Sequence, residues 1–306
     1  MIHPEKEACR EIVQLVRHSY ATQSTEFEGG RMQMIGLRLD ETCPIIGKTV
    51  REVCEEERDF KFGIINVLRD SESHVPWADF EFKHSDTAYF IVKTERLESL
   101  MYMLGKEATP TRSIIILGGS KIGRSIAEQL ENEINVRMID NSREKAEWLA
   151  SNMKETMVLH GDGTDVELLK DENIGDADSF IAVTENEQTN LLSGMLAQNL
   201  GVKQVVIHVS TTEYMPIVHE IGFGSVLSKN MSTVNSILRQ ITSDQTEKSV
   251  TTFDEIDVDA VEFNPEPGSK VTKVPLEQIN FPEDSIVAVS YTHLTLPTIC
   301  SVDLGG

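Results

Sequence analysis

The sequence predicts an α/β protein, a doubly wound parallel sheet flanked by smaller α+β domains. Three observations predict it. Between residues 113 and 227 short aliphatic runs alternate with helical stretches, the βαβ texture of a parallel sheet covered on both faces. A glycine-rich turn, Gly118-Gly119-Ser120-Lys121-Ile122-Gly123, stands directly between the first of those runs and the first of those helices. Around this block lie two β-rich stretches, 31–104 and 251 onward, each preceded by a helix.

Residues 4–19 read as a helix, with Pro4 suited to a first turn and Ile12, Leu15 and Val16 on one face. Strands follow at Met32, Met34 and Leu37-x-Leu39, at 63–68 and at 88–92, with Asp70-Ser71-Glu72-Ser73 read as turn material. Residues 105–111, around Pro110, form a linker. Strands are then expected at 113–117, 136–140, 156–160, 179–183, 204–208 and 225–227, and helices at 122–131, 142–151, 166–170, 187–200 and 213–221. The right-handed crossover rule makes a doubly wound sheet their natural topology. A further helix carries Val234, Ile237, Leu238 and Ile241, and residues 257–263 alternate as a strand does. The order of helix then β-rich segment occurs twice: Ile12-Val13-Gln14-Leu15-Val16 answers Ile237-Leu238-Arg239-Gln240-Ile241 at an offset of 225 residues, and Ile64-Ile65-Asn66-Val67 answers Ile286-Val287-Ala288-Val289.

Composition narrows the function. The chain has 306 residues, 40% hydrophobic and 25% charged, enough to bury at least one core. Its 28 basic and 50 acidic residues give a net charge of −22, which phosphate backbones and anionic lipid surfaces repel. Nucleic acid and direct membrane insertion are therefore not expected. Cys9, Cys43, Cys54 and Cys300 form no Cys-x-x-Cys pair, so reduced thiols are expected rather than a metal site or a disulfide framework. The N-terminus carries no apolar signal core, and a cytoplasmic protein is the expectation.

The glycine turn carries the chemistry. Gly118 makes the tight turn of a dinucleotide-binding Rossmann motif, and Gly123 permits close helix–strand packing. The middle position is Ser120 rather than glycine; its hydroxyl is small enough to allow a phosphate to approach and is able to donate to it. The phosphate would lie on the helix N-terminus, where free N–H groups and the macrodipole favour an anion, with Gly119 and Ile122 contributing backbone and Lys121 a point charge. Asp140 ends the next strand, about 20 residues on, where an acid grips ribose hydroxyls; Asn141 adjoins it. A helix cap is the plainer reading of Asp140. Two more loops follow strand ends, Gly161-Asp162-Gly163-Thr164-Asp165 and Thr184-Glu185-Asn186-Glu187. There Asp162, Gly163 and Thr184 are candidates for the adenine side, whereas Asp165 and Glu187 read as ordinary caps.

These segments, with Met138-Ile139-Asp140, Phe180-Ile181-Ala182-Val183-Thr184 and Glu187-Gln188-Thr189-Asn190-Leu191-Leu192, resemble the N-terminal domain of the RCK family of potassium-conductance regulators over residues 113–241. The β-rich stretches resemble the smaller RCK C-terminal domain, and the tandem arrangement is similar to the regulatory subunits of bacterial Trk-type potassium-uptake systems. The resemblance implies a non-enzymatic cytosolic ring of RCK domains that binds NAD(H) or ATP/ADP. It implies a place at the inner face of the membrane, gating a Trk-type potassium transporter membrane subunit, with Gly118, Ser120, Gly123, Asp140 and Asp162 as ligand contacts. It further implies a division into 1–20 as the last helix of a preceding Rossmann unit, 21–107 as a first C-terminal-like domain, 112–243 as the Rossmann domain, 250–289 as part of a second C-terminal-like domain, and 290–306 as an atypical tail. Residues 290–300 do not continue the family pattern, and neither His293 nor Cys300 is given a role.

Two other functions fit the same residues. An NAD-dependent oxidoreductase would need an acid/base group over the nicotinamide, for which His74, His84 and His208 are the candidates. A pure assembly scaffold with a vestigial ligand site is compatible with Ser120.

Overall fold

The computed structural model describes residues 4–211, apart from 18–20, 58–59, 71 and 107–109, together with parts of 214–279. The chain divides into two compact units, residues 1–22 with 109–236 and residues 23–108 with 237–306.

Helix α1 runs Pro4–Arg17, with Glu5 and Glu7 in its first turn and Arg17 in its last, the charge order that a helix dipole favours. In the second unit an antiparallel sheet follows, with strands β1 (Gln23–Phe27), β2 (Met32–Arg38), β3 (Phe62–Arg69), β4 (Glu72–His74) and β5 (Thr87–Lys93). Their spatial order is β1-β2-β5-β3-β4. Of the stretch read as turn material, Glu72 and Ser73 belong to β4 and pair with β3, while Asp70 at the end of β3 takes the left-handed conformation (φ 52°). Helix α2 (Val50–Glu56) starts at a capping box, Thr49 accepting from the Glu52 N–H while Glu52 accepts from that of Thr49. Helix α3 is Leu97–Met103. Phe82, Tyr89, Phe90 and Met101 fill the core. Beside them the fully buried Asp86 pairs with Arg69 at 2.6 Å and accepts from the Lys83 N–H, so the buried charge is compensated.

The same unit contains β12 (Glu247–Thr252) antiparallel to β13 (Asp259–Phe263), near the positions to which the 225-residue offset carries β1 and β2. A short helix, Lys270–Lys273, follows. The helices read at 213–221 and across 234–241 lie largely outside the described residues. The strand read at 286–289 and the tail at 290–306 lie wholly outside them.

The first unit is the doubly wound sheet. Strands β6 (Ser113–Leu117), β7 (Asn135–Asp140), β8 (Met157–His160), β9 (Ser179–Ala182), β10 (Gln204–Val209) and β11 (Ser225–Ser228) are all parallel, in the order β11-β10-β9-β6-β7-β8. The order reverses at β6, so a crevice opens between the carboxyl ends of β6 and β9. Helices α4 (Lys121–Leu130) and α5 (Arg143–Asn152) cover one face; α6 (Val166–Asp171) and α7 (Glu187–Asn199) cover the other. Alternation along β6 serves both cores, Ile114 and Ile116 on the α4 side, Ile115 and Leu117 on the α7 side.

Helix α1 joins this unit. Its face of Ala8, Ile12, Leu15 and Val16 is buried with Ile126, Leu130, Val206 and Leu227. Polar ties fix its end: the Gln204 amide donates to Leu15 O at 2.9 Å and the Thr111 hydroxyl to Val16 O at 2.6 Å. Whatever unit it follows in sequence, α1 completes the core of this one. Cys9 and Cys43 are free thiols, both pushed up by burial. Among the described residues no helix is long and apolar enough to cross a membrane.

Candidate nucleotide-binding site

The loop between β6 and α4 is as tight as its glycines allow. Gly118 has φ 102°, and a side chain there would meet the Thr184 backbone at 2.9 Å. A Cβ on Gly123 would overlap the Gly118 carbonyl oxygen, so α4 begins hard against the end of β6. Ser120 caps α4, accepting from the Gly123 N–H at 3.2 Å, and its hydroxyl donates to Val183 O at 2.9 Å. Its proton is committed to the adjacent strand, so what remains for an anion is the backbone of the first turn, with N–H groups of Lys121 and Ile122 that no helical carbonyl can reach. Ile122 itself is buried, and the Lys121 side chain is exposed.

Asp140 is buried at 5% exposure and already engaged. One carboxylate oxygen accepts from the Gly119 N–H at 2.8 Å and lies 3.3 Å from the Lys145 ammonium; the other accepts from the Ser142 N–H at 2.9 Å. The acid therefore locks the glycine loop to the start of α5, while Ser142 caps that helix. Asn141 is exposed beside it. Asp162 forms a side-chain turn, accepting from the Thr164 N–H at 2.9 Å and hydroxyl at 2.8 Å, and these bonds hold its carboxyl below the usual range. Gly163 is packed beneath Leu117. Asp165 caps α6, as read from sequence.

Across the crevice the end of β9 is organised by Asn190, a fully buried residue of α7 whose segment was legible but whose role was not. Its amide oxygen accepts from the Thr184 N–H at 2.9 Å and hydroxyl at 2.7 Å; its amide nitrogen donates to Thr184 O and to His208 O. The cap of α7 is Asn186 rather than Glu187, whose carboxylate instead accepts from the N–H groups of Ser210 and Thr211. These loops, the start of α4 and Glu5 of α1 enclose a cavity of about 380 Å³, lined by Ser120, Lys121, Ile122, Thr184, Glu185, Glu187, His208 and Ser210 among others. Of the sequence candidates, Ser120, Lys121, Ile122 and Thr184 meet at this cavity; Asp140, Asn141, Asp162 and Gly163 lie on the β7–β8 side of the loop. His208 lines the cavity, His74 stacks on Phe80 and His84 meets Ser85.

The arrangement offers a place for an anionic group. A helix N-terminus opens into the cavity at the topological switch point, the place where open α/β sheets bind pyrophosphate. A tight backbone turn lets that approach happen without side-chain obstruction. Among the described residues no group of three or more His, Cys, Asp or Glu is arranged to hold a metal.

Comparison with known proteins places this geometry. Residues 114–229 match the TrkA-N domain family. The chain is 26% identical over 289 residues to Trk system potassium uptake protein TrkA homolog 1 of Methanosarcina mazei, a match covering 94% of this chain and 64% of the relative. It is 27% identical over 241 residues to the TrkA of Halomonas elongata, covering 79% and 53%. The chain thus spans just under two thirds, or less, of these relatives' length. Among solved structures, the GsuK channel bound to NAD superposes with a TM-score of 0.54 at 20% identity, over 78% of this chain and 43% of the channel, a likeness of fold.

Proposed function

We propose, from the premise that the chain is a TrkA/RCK protein, that it is a cytoplasmic regulatory subunit whose Rossmann unit senses NAD(H) or ATP/ADP and gates a Trk-type potassium transporter. One observation carries the ligand half of this reading: the first turn of α4 faces a cavity at the switch point of the sheet. A solved relative of the same fold is bound to NAD, which supports the choice of ligand. Gating then requires that the ligand bind two arrangements of the protein with different affinity. The protein works as a ring of such units, attached to the inner membrane face through its transporter. A net charge of −22 suits docking on a basic cytoplasmic surface, weakened by salt.

Calorimetry with NADH, ATP and ADP tests the sensor reading. Saturable binding of at least one is expected; binding of none contradicts it and leaves a scaffold. Co-purification with a Trk-type membrane subunit should fall as salt rises, and attachment indifferent to salt contradicts the electrostatic docking. One observation favours a second reading, an NAD-dependent oxidoreductase: His208 lines the cavity. Steady cofactor turnover that is lost in His208→Gln would establish it.

A further inference from the structure

At the end of β7 stands the acid that, in a dinucleotide-binding motif, grips the ribose 2′-hydroxyl and repels a phosphate in its place. In this chain that acid is not free to repel. Asp140 is 5% exposed, and both of its oxygens are engaged. One accepts from the Gly119 N–H and lies 3.3 Å from the Lys145 ammonium; the other accepts from the Ser142 N–H. A carboxylate held by two N–H groups and an ammonium presents little net charge to a ligand.

The groups that remain accessible beside it suit an anion. Asn141, Ser142 and Arg143 are exposed, and among the described residues the Arg143 side chain forms no ion pair or hydrogen bond. Arg143 opens α5, so its own N–H and that of Glu144 have no helical carbonyl to reach. His160 lies in register with Asp140 on the neighbouring strand and is exposed. Within residues 140–145 the acids Asp140 and Glu144 are balanced by the bases Arg143 and Lys145, so the segment carries no net charge where a free acid alone would give one negative charge.

We propose that the nucleotide site accepts a dinucleotide phosphorylated at the adenosine 2′-position as readily as the unphosphorylated one, and that Arg143 is the specificity-determining residue for that added phosphate. The inference rests on the nucleotide-sensor reading above and deepens it. A guanidinium is the side chain best matched to a phosphate, because two coplanar N–H groups meet two oxygens. A free carboxylate about 5 Å from a dianionic phosphate, at the dielectric of water, weakens binding roughly fifteenfold, and a lower dielectric weakens it further. Lys145 and the two N–H groups remove most of that penalty, and Arg143 supplies an attraction of the same order.

The test is calorimetry of the full chain with NAD and NADP, at low and at raised salt. NADP is expected to bind within about fivefold of NAD, or more tightly, and to lose more affinity than NAD as salt rises. In Arg143→Gln the affinity for NADP relative to NAD should fall about tenfold. Lys145→Gln, which uncovers one oxygen of Asp140, should lower the same ratio, with circular dichroism checking that both variants fold. NADP binding more than about fivefold more weakly than NAD, or a ratio unmoved in Arg143→Gln, overturns the proposal. If NAD binds and NADP does not, only this inference fails. If neither gives heat and ATP and ADP also give none, the sensor reading fails with it.

Discussion

The two sides of the nucleotide crevice use polar residues in opposite ways. On the β6–β7 side nearly every candidate of the glycine motif is occupied within the fold: Ser120 by Val183 and Gly123, Asp140 by Gly119, Ser142 and Lys145, Asp162 by Thr164. On the β9–β10 side one buried amide, Asn190, ties the Thr184 loop to the end of β10, and Lys121, Glu185 and Glu187 line a cavity beside it. The difference teaches that the motif's polar residues are spent on holding the loop rigid, so that under the proposed function the loop offers a phosphate its backbone and the cavity beyond it is lined by residues outside the motif.

The sharpest way to break this division is to break the platform itself. In Gly123→Ala the new methyl meets the Gly118 carbonyl, and the cost is about 3 kcal/mol by chemical denaturation, with loss of all nucleotide binding. Asp140→Ala should come next, at about 2 kcal/mol, because it strands two N–H groups; its effect on affinity should be similar for ADP-ribose and for NAD, since both share the adenosine end. Asn190→Asp sharpens the comparison from the other side. It keeps the acceptor for Thr184 and loses the donor to both Thr184 O and His208 O, costing about 2 kcal/mol, and should weaken NAD more than ADP-ribose in the same titration.

How much of this was legible in sequence follows from how each part is encoded. Strands β6 and β9 are short, mostly apolar runs buried on both faces, β7 has the apolar pair Met138-Ile139 just before its end, and the glycine turn has a fixed spacing, so the sheet and the phosphate loop read directly. Strand β1, Gln-Ser-Thr-Glu-Phe, did not, since its burial is partial and its residues are polar. Helices α2 and α3 have seven residues each, too few for a helical period to show. Asn190, Glu5 and Glu131 have no sequence signal because their work is done across the fold. Glu131 is a buried carboxylate that accepts from the N–H groups of Lys154, Glu155 and Thr156 and from the Thr156 hydroxyl, 25 residues away.

Glu131 provides a prediction remote from the crevice. Burial alone would raise its carboxyl, but the Glu155, Thr156 and Lys154 bonds together prevail and hold it below the usual carboxylate range. A lowered folded value means stability fully present above the unfolded value and lost as pH falls through the folded one. Glu131→Gln should therefore cost about 1 kcal/mol at neutral pH, and thermal melts of the two proteins should converge as pH drops below about 4. Smallest of all is Arg17→Ala, which removes an exposed pair with Glu133 at 3.3 Å and should change stability by less than about 0.5 kcal/mol.

The claim that joins these results is that the ligand lies on the phosphate loop and across the switch point. Amide hydrogen exchange with and without NAD reads it most directly. The account predicts slowed exchange in the 118–123 loop and the 184–187 loop, with the first turn of α1 following. Protection confined to the antiparallel sheet, or none at saturating ligand, would contradict it.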